Sequence, residues 1–127
     1  MLTFLGKELN KHFTFNDLQI VMEDCIYNAK NDKSIYVIYK KPIELLKGTF
    51  YIEFKFYEKK LSEFNLQSAE YEVDEAHIYH CKWLEENFQN EKISKNNFIT
   101  YKNDDIGLSA DRSLKGGNPQ ILCKVLR

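Results

Sequence analysis

With 127 residues, 43% hydrophobic and 29% charged, the chain is long enough and apolar enough to bury one core, which excludes a disordered chain. Five Gly and two Pro exclude collagen-like and linker-rich classes, and a net charge of −1 leaves no overall excess of either sign. Aromatic residues make up 14% of the chain, a composition that suits pleated strands and contact faces.

No repeat, low-complexity tract or linker divides the sequence, so residues 1–127 are expected to form a single domain. The first residues, Met1 to Glu8, lack the charged and apolar regions of a signal peptide, and no stretch approaches a membrane span. Cys25, Cys81 and Cys123 are odd in number and far apart, which argues against a disulfide framework and for a reducing compartment. A cytoplasmic location is the expectation.

In chain order, Asn16 or Asp17 is a candidate N-cap, with Phe15 as a staple. Leu18, Val21, Met22, Cys25, Ile26 and Ala29 then recur at helical spacing, predicting a first helix to about Ala29. Asn31 to Ser34 reads as a turn and residues 35–39 as a strand that stops before Pro42. From Thr49 to Tyr57, Phe50, Ile52, Phe54 and Phe56 alternate with Tyr51, Glu53, Lys55 and Tyr57, the pattern of a half-buried strand. Leu61 to Leu66 turns back after Glu58-Lys59-Lys60, so residues 49–66 are expected to form a β-hairpin. Ala76, Tyr79, His80, Trp83, Leu84 and Phe88 share one face of a second helix, with Asp74 as candidate N-cap. The tail gives strands at 98–101, 106–110 and 121–126. A turn at 103–105 joins the first two, and a loop from Asp111 to Pro119 containing Gly116-Gly117-Asn118 joins the last two. The expected fold is α+β: a mainly antiparallel sheet of about five to six strands packed against two helices.

Among candidate chemistries, His77 and His80 are three apart on the second helix and read as half of a metal site, or as packed histidines. His80 is expected to pack under Tyr79 and Trp83, with His77 facing water. Cys81 lies one turn from His77, so a cysteine–histidine dyad can be drawn, but no orienting group or oxyanion site accompanies it. There is no phosphate loop, dinucleotide fingerprint or nucleophile elbow, and no cofactor or metal is expected. A small metal-dependent or hydrolytic enzyme using His77 and His80 is the alternative to a binding protein. A homo-oligomeric structural or chaperone-like domain pairing through an edge strand such as 35–39 is a third reading.

Charge is unevenly distributed. Residues 63–91 hold eight carboxylates and one lysine, a local net charge of −7. Glu63, Glu70, Glu72, Asp74, Glu75, Glu85 and Glu86, with the Asp104-Asp105 turn, are candidate partner-binding residues, suited to a basic protein surface and unfavourable for direct contact with nucleic acid. Acidic residues near a helix start also complement its dipole, so a solvated face is the competing reading. The run Phe54-Lys55-Phe56-Tyr57-Glu58-Lys59-Lys60-Leu61-Ser62-Glu63-Phe64, the helix ending Trp83-Leu84-Glu85-Glu86-Asn87, and Ile106-Gly107-Leu108-Ser109-Ala110-Asp111-Arg112-Ser113 before Gly116-Gly117 carry a pattern over about residues 49–126. In that pattern the chain resembles the small bacterial immunity proteins of polymorphic toxin and contact-dependent growth inhibition systems. The resemblance implies a cytoplasmic, non-catalytic protein that neutralises one cognate toxin domain, such as a nuclease, by binding and occluding it.

Overall fold

The computed structural model describes residues 1–112 and 117–127. In chain order the first elements are β1 (Thr3–Phe4), β2 (Lys7–Glu8), a 3-10 segment (Phe15–Asp24), β3 (Cys25–Ala29), β4 (Ser34–Tyr39), β5 (Ile43–Leu45), β6 (Gly48–Tyr57) and β7 (Lys60–Ser68). They are followed by α1 (Val73–Phe88), a short 3-10 turn (Gln89–Glu91), β8 (Lys92–Lys95), β9 (Phe98–Lys102), β10 (Ile106–Asp111) and β11 (Gln120–Val125). β1 and β2 form their own small pair. The other strands make one nine-stranded sheet in the order β3-β4-β6-β7-β11-β10-β9-β8, with β5 alongside β6. Every pairing among the described residues is antiparallel.

The α+β class and the antiparallel sheet are as the sequence predicts, but five to six strands is too few. β1, β2, β3, β5 and β8 are additional, and four tight turns explain most of them. Leu5-Gly6, Leu46-Lys47, Glu58-Lys59 and Asn96-Asn97 each link two strands by a two-residue connection in which both residues have positive φ, between 47° and 78°. That is the hairpin turn whose twist matches the flanking strands. Leu46-Lys47 and Glu58-Lys59 adopt it without Gly or Asn, so strand pairing, not turn preference, imposes the conformation.

The first helix is also shorter than expected and of a different kind. Residues 15–24 form a 3-10 segment kinked at Val21 (φ −119°, ψ 15°), with Thr14 at its N-cap instead of Asn16 or Asp17. Asp17 instead accepts a hydrogen bond from the Thr14 N–H at 2.8 Å and pairs with Lys7, whose hydrogen bond holds its carboxyl below the usual range. Cys25 to Ala29 leaves the helical path and pairs with β4, from Cys25 opposite Tyr39 to Ala29 opposite Ile35. Asn31 Oδ1 accepts from the N–H groups of Lys33 and Ser34 and closes that hairpin. Over a window this short, helical spacing and strand alternation select overlapping residues.

One face of the sheet is covered. Phe50, Ile52, Phe54 and Phe56 of β6 project to it together with Phe64 and Leu66 of β7 and Ile121, Cys123 and Val125 of β11. The N-terminal segment covers one half of this face: Phe54 meets Phe4 at 5.3 Å and Phe13 at 5.8 Å between ring centres, and Phe15 meets Phe56 at 5.7 Å. α1 covers the other half, with Trp83 against Phe50 at 4.9 Å. The opposite face carries Ile38, Tyr51, Glu53, Lys55, Glu63, Asn65, Leu122 and Lys124, all exposed or half-buried, and among the described residues no element lies over it. No helix of the described residues is long and apolar enough to cross a membrane.

Candidate protein-binding surface

The chain leaves the sheet at Ser68 and enters α1 through Ala69 to Glu72, and hydrogen bonds fix this corner from both sides. The Ala69 N–H donates to the Thr49 carbonyl at 2.9 Å, and Ser68 Oγ accepts from the N–H groups of Glu70 and Tyr71 at 3.1 and 3.2 Å. The Ser68 N–H donates to His80 Nε2 at 3.0 Å, tying the end of β7 to the middle of α1. Glu72, not Asp74, is the N-cap residue. Its carbonyl accepts from Glu75 and Ala76, while Asp74 and Glu75 sit in the first turn, where negative charge complements the helix dipole.

Four carboxylates, Glu70, Glu72, Asp74 and Glu75, are therefore exposed within six residues, and among the described residues none of them forms a salt bridge. Two apolar side chains stand among them. Tyr71 is exposed and rests on Tyr79, ring centres 4.8 Å apart, and Val73 is 60% exposed. Beside them is a concavity of about 420 Å³ lined by Tyr51, Gln67, Ser68, Tyr71, Val73 and Asn118, among others. Val73 has φ +44°, a conformation that a β-branched residue rarely adopts. Since an exposed valine contributes little burial, Val73→Gly is expected to raise unfolding free energy by about 0–2.5 kcal/mol. Relief of roughly 1–3 kcal/mol of strain outweighs the roughly 0.5–1 kcal/mol entropic disadvantage of glycine. Urea unfolding checks this, and a variant clearly less stable than the parent would mean that the valine side chain holds the corner.

The remaining predicted carboxylates are distributed more widely than the sequence implies. Glu85 and Glu86 lie about 17–18 Å further along α1 than Asp74, at about 1.5 Å per residue, and both are engaged. Glu85 accepts from Tyr101 Oη at 2.8 Å and pairs with Lys92 at 3.0 Å, and the Lys92 hydrogen bond lowers its pKa. Glu86 pairs with Lys82 at 3.9 Å. Asp104 and Asp105 occupy the β9–β10 turn, where the Asp105 carbonyl accepts from the Leu126 N–H. Glu63 is on the uncovered face of the sheet, between Lys55 and Lys124 on the flanking strands, and takes no part in the corner. Strand alternation could have separated Glu63 from the others. The partners of Glu85 and the contribution of Asn118 depend on tertiary contacts and had no local signal, whereas the Lys82–Glu86 pair is an i,i+4 spacing visible in the sequence.

The histidines do not converge. His80 is fully buried beneath Phe50 and Tyr79, and burial drives its pKa down to about 4. His77 is half-buried, not wholly in water as expected, with Nε2 3.7 Å from Cys81 Sγ. The Cys81 thiol is pushed up by burial, the opposite of what activates a nucleophile. Among the described residues no group of three His, Cys, Asp or Glu side chains is arranged to hold a metal ion. Part of the expected 111–119 loop, residues 113–116, lies outside the described residues. No protein family, curated protein or solved structure matches this chain.

Proposed function

We propose that this chain is an immunity-type binding protein that neutralises a bacterial toxin domain by stoichiometric occlusion, docking its acidic corner on a basic surface of the toxin. The observation that supports this reading is the coincidence, within residues 69–76, of four unbridged carboxylates, exposed Tyr71 and Val73, a strained backbone and an adjoining concavity. Carboxylates that lack a salt bridge keep their field available to a partner, and such a field accelerates encounter with a basic surface. Once the surfaces meet, Tyr71, Val73 and Tyr51 supply the apolar contact that limits dissociation. A nuclease cleft, lined with cations to hold phosphates, is the partner surface of matching charge.

The test is co-expression with the domain encoded by the neighbouring reading frame, assayed for toxicity without this chain, followed by binding kinetics on the purified pair. Glu70→Lys with Glu72→Lys reverses charge in the loop and at the N-cap, whose side chain makes no capping hydrogen bond, and keeps Asp74 and Glu75 in the first turn. Association is expected to slow by about tenfold at low salt, with the difference shrinking as ionic strength rises and the Debye length falls below about 8 Å. Association unaltered in rate and salt dependence would remove the corner from the interface, and a parent chain that gives no protection would remove the immunity reading itself.

A further inference from the structure

The two edges of the large sheet are built differently. β8 carries Lys92 and Lys95 at its ends, the kind of charge that discourages strand addition. β3, at the other edge, has no charged residue in Cys25-Ile26-Tyr27-Asn28-Ala29, and Ile26 and Tyr27 are each 58% exposed. It also corrects the expected edge: residues 35–39 lie inside the sheet, between β3 and β6.

Its backbone polarity follows from its pairing with β4. The Lys30 N–H donates to the Ser34 carbonyl at 2.9 Å and the Lys40 N–H donates to the Asp24 carbonyl at 2.8 Å. In an antiparallel ladder, hydrogen-bonded positions recur every second residue. Positions 24, 26, 28 and 30 therefore bond inward to β4, and Tyr27 and Ala29 direct their N–H and C=O groups, and Cys25 its C=O, out of the sheet, the Cys25 N–H being taken by the Met22 carbonyl at the end of the 3-10 segment. Among the described residues no strand receives them.

The residues flanking β3 select the occupant. Asp24 precedes the strand and Lys30 follows it, and both side chains lie on the uncovered face: Asp24 pairs with Lys41 at 3.2 Å, and Lys30 Nζ sits 5.5 Å above the Tyr36 ring. We propose that this protein forms a two-fold dimer in which β3 pairs antiparallel with β3 of a second copy, centred on Tyr27. In that register the N–H groups of Tyr27 and Ala29 and the carbonyls of Cys25 and Tyr27 form about four hydrogen bonds with the second strand. Each Asp24 then falls opposite Lys30 of the second copy, a pair of opposite charges on neighbouring strands. Parallel pairing in register would instead set like charges side by side. The sequence Asp24-Cys25-Ile26-Tyr27-Asn28-Ala29-Lys30 is thus self-complementary in backbone and in charge, which favours a second copy over an unrelated strand. β3 is separated from β7 by β4 and β6, so the dimer leaves both acidic corners free, and the inference stands independently of the toxin-binding reading.

A single strand pair is smaller than the roughly 1,200–2,000 Å² interface of a stable complex, so association is expected at about micromolar to hundred-micromolar concentration. Sedimentation equilibrium of the purified chain over that range is expected to show conversion from one chain to two. Lys30→Asp and Asp24→Lys, each placing like charges across the axis, are expected to weaken dimerisation at least tenfold, and the double swap Asp24→Lys/Lys30→Asp to restore it. Circular dichroism identifies any variant that fails to fold, and Lys30→Asp, at an exposed turn residue, is the one least exposed to that risk. A monomer throughout the range, or a dimer that Lys30→Asp leaves unchanged, overturns the proposal.

Discussion

Trp83→Ala is expected to lower the unfolding free energy by about 3–5 kcal/mol, equivalent to roughly 10 °C or more in melting temperature. Trp83 is buried where α1 crosses the start of β6. Its ring meets Phe50 at 4.9 Å and Phe88 at 5.6 Å, and its Nε1–H donates to the carbonyls of Leu45 and Leu46 at 3.2 Å. Truncation removes the aromatic packing that seats the helix and leaves the turn carbonyls without their donor. Trp83→Phe separates the two effects: it keeps most of the apolar contact and is expected to cost about 1–3 kcal/mol, the range for leaving buried acceptors unsatisfied. Phe98→Ala is the control, because Phe98 is 74% exposed in β9, one strand in from the far edge of the sheet, and its loss is expected to stay within about 0.5 kcal/mol. Chemical denaturation of the three variants measures all of this. Equal losses for Trp83→Ala and Phe98→Ala would mean that α1 is not seated by its tryptophan.

The parts of the fold that can be read locally are those in which one face is buried over many residues. The alternation of Phe50, Ile52, Phe54 and Phe56 and the periodicity from Ala76 to Phe88 correspond closely to β6 and α1, since a shift of one residue in either would expose a row of large apolar side chains. β5 and β8 escaped because three- and four-residue strands carry too few alternations to register. Leu46-Lys47, which joins β5 to β6, also has none of the turn preference of Asn96-Asn97. β3 escaped because its sequence satisfies two periods at once, and its partner strand decides between them. The acidic segment itself was legible, but its division was not. Glu70 to Glu75 remain unbridged, whereas Glu85 and Glu86 are neutralised by Lys92 and Lys82, one of which comes from a strand that the periodicity did not mark. The strain at Val73 likewise has no signature in the residue itself.

Acidification from pH 7 to pH 4 is expected to destabilise the protein through His80, by at most about 3 kcal/mol, and to loosen the acidic corner with it. His80 Nε2 accepts the Ser68 N–H, so the imidazole is neutral with its proton on Nδ1, and among the described residues Nδ1 has no hydrogen-bond partner. A second proton would have to enter at Nε2, where the Ser68 N–H already points, and would place a charge in a fully buried site facing Phe50 and Tyr79, with His77 on the same helix adding repulsion. Burial accordingly lowers the pKa from 6.5 to about 4. The unfolded chain takes up this proton near pH 6.5 and the folded chain only near 4, so stability is complete above about pH 6.5 and declines as the pH falls towards 4. The carboxylates of Asp17 and Glu85, whose pKa values are lowered by Lys7 and Lys92, contribute their own loss below the usual carboxylate range and so act mainly beneath this window. His80→Gln retains an acceptor for Ser68 and removes the titration, so urea unfolding across pH 7 to 4.5 is expected to show a steep decline for the parent and a nearly flat response for the variant. The same slope in both would assign the acid sensitivity to other groups. Because Ser68 also accepts the N–H groups of Glu70 and Tyr71, protonation of His80 releases the anchor of the corner, and hydrogen exchange at those two amides should accelerate in the parent over the same pH window after correction for intrinsic rates, but not in His80→Gln.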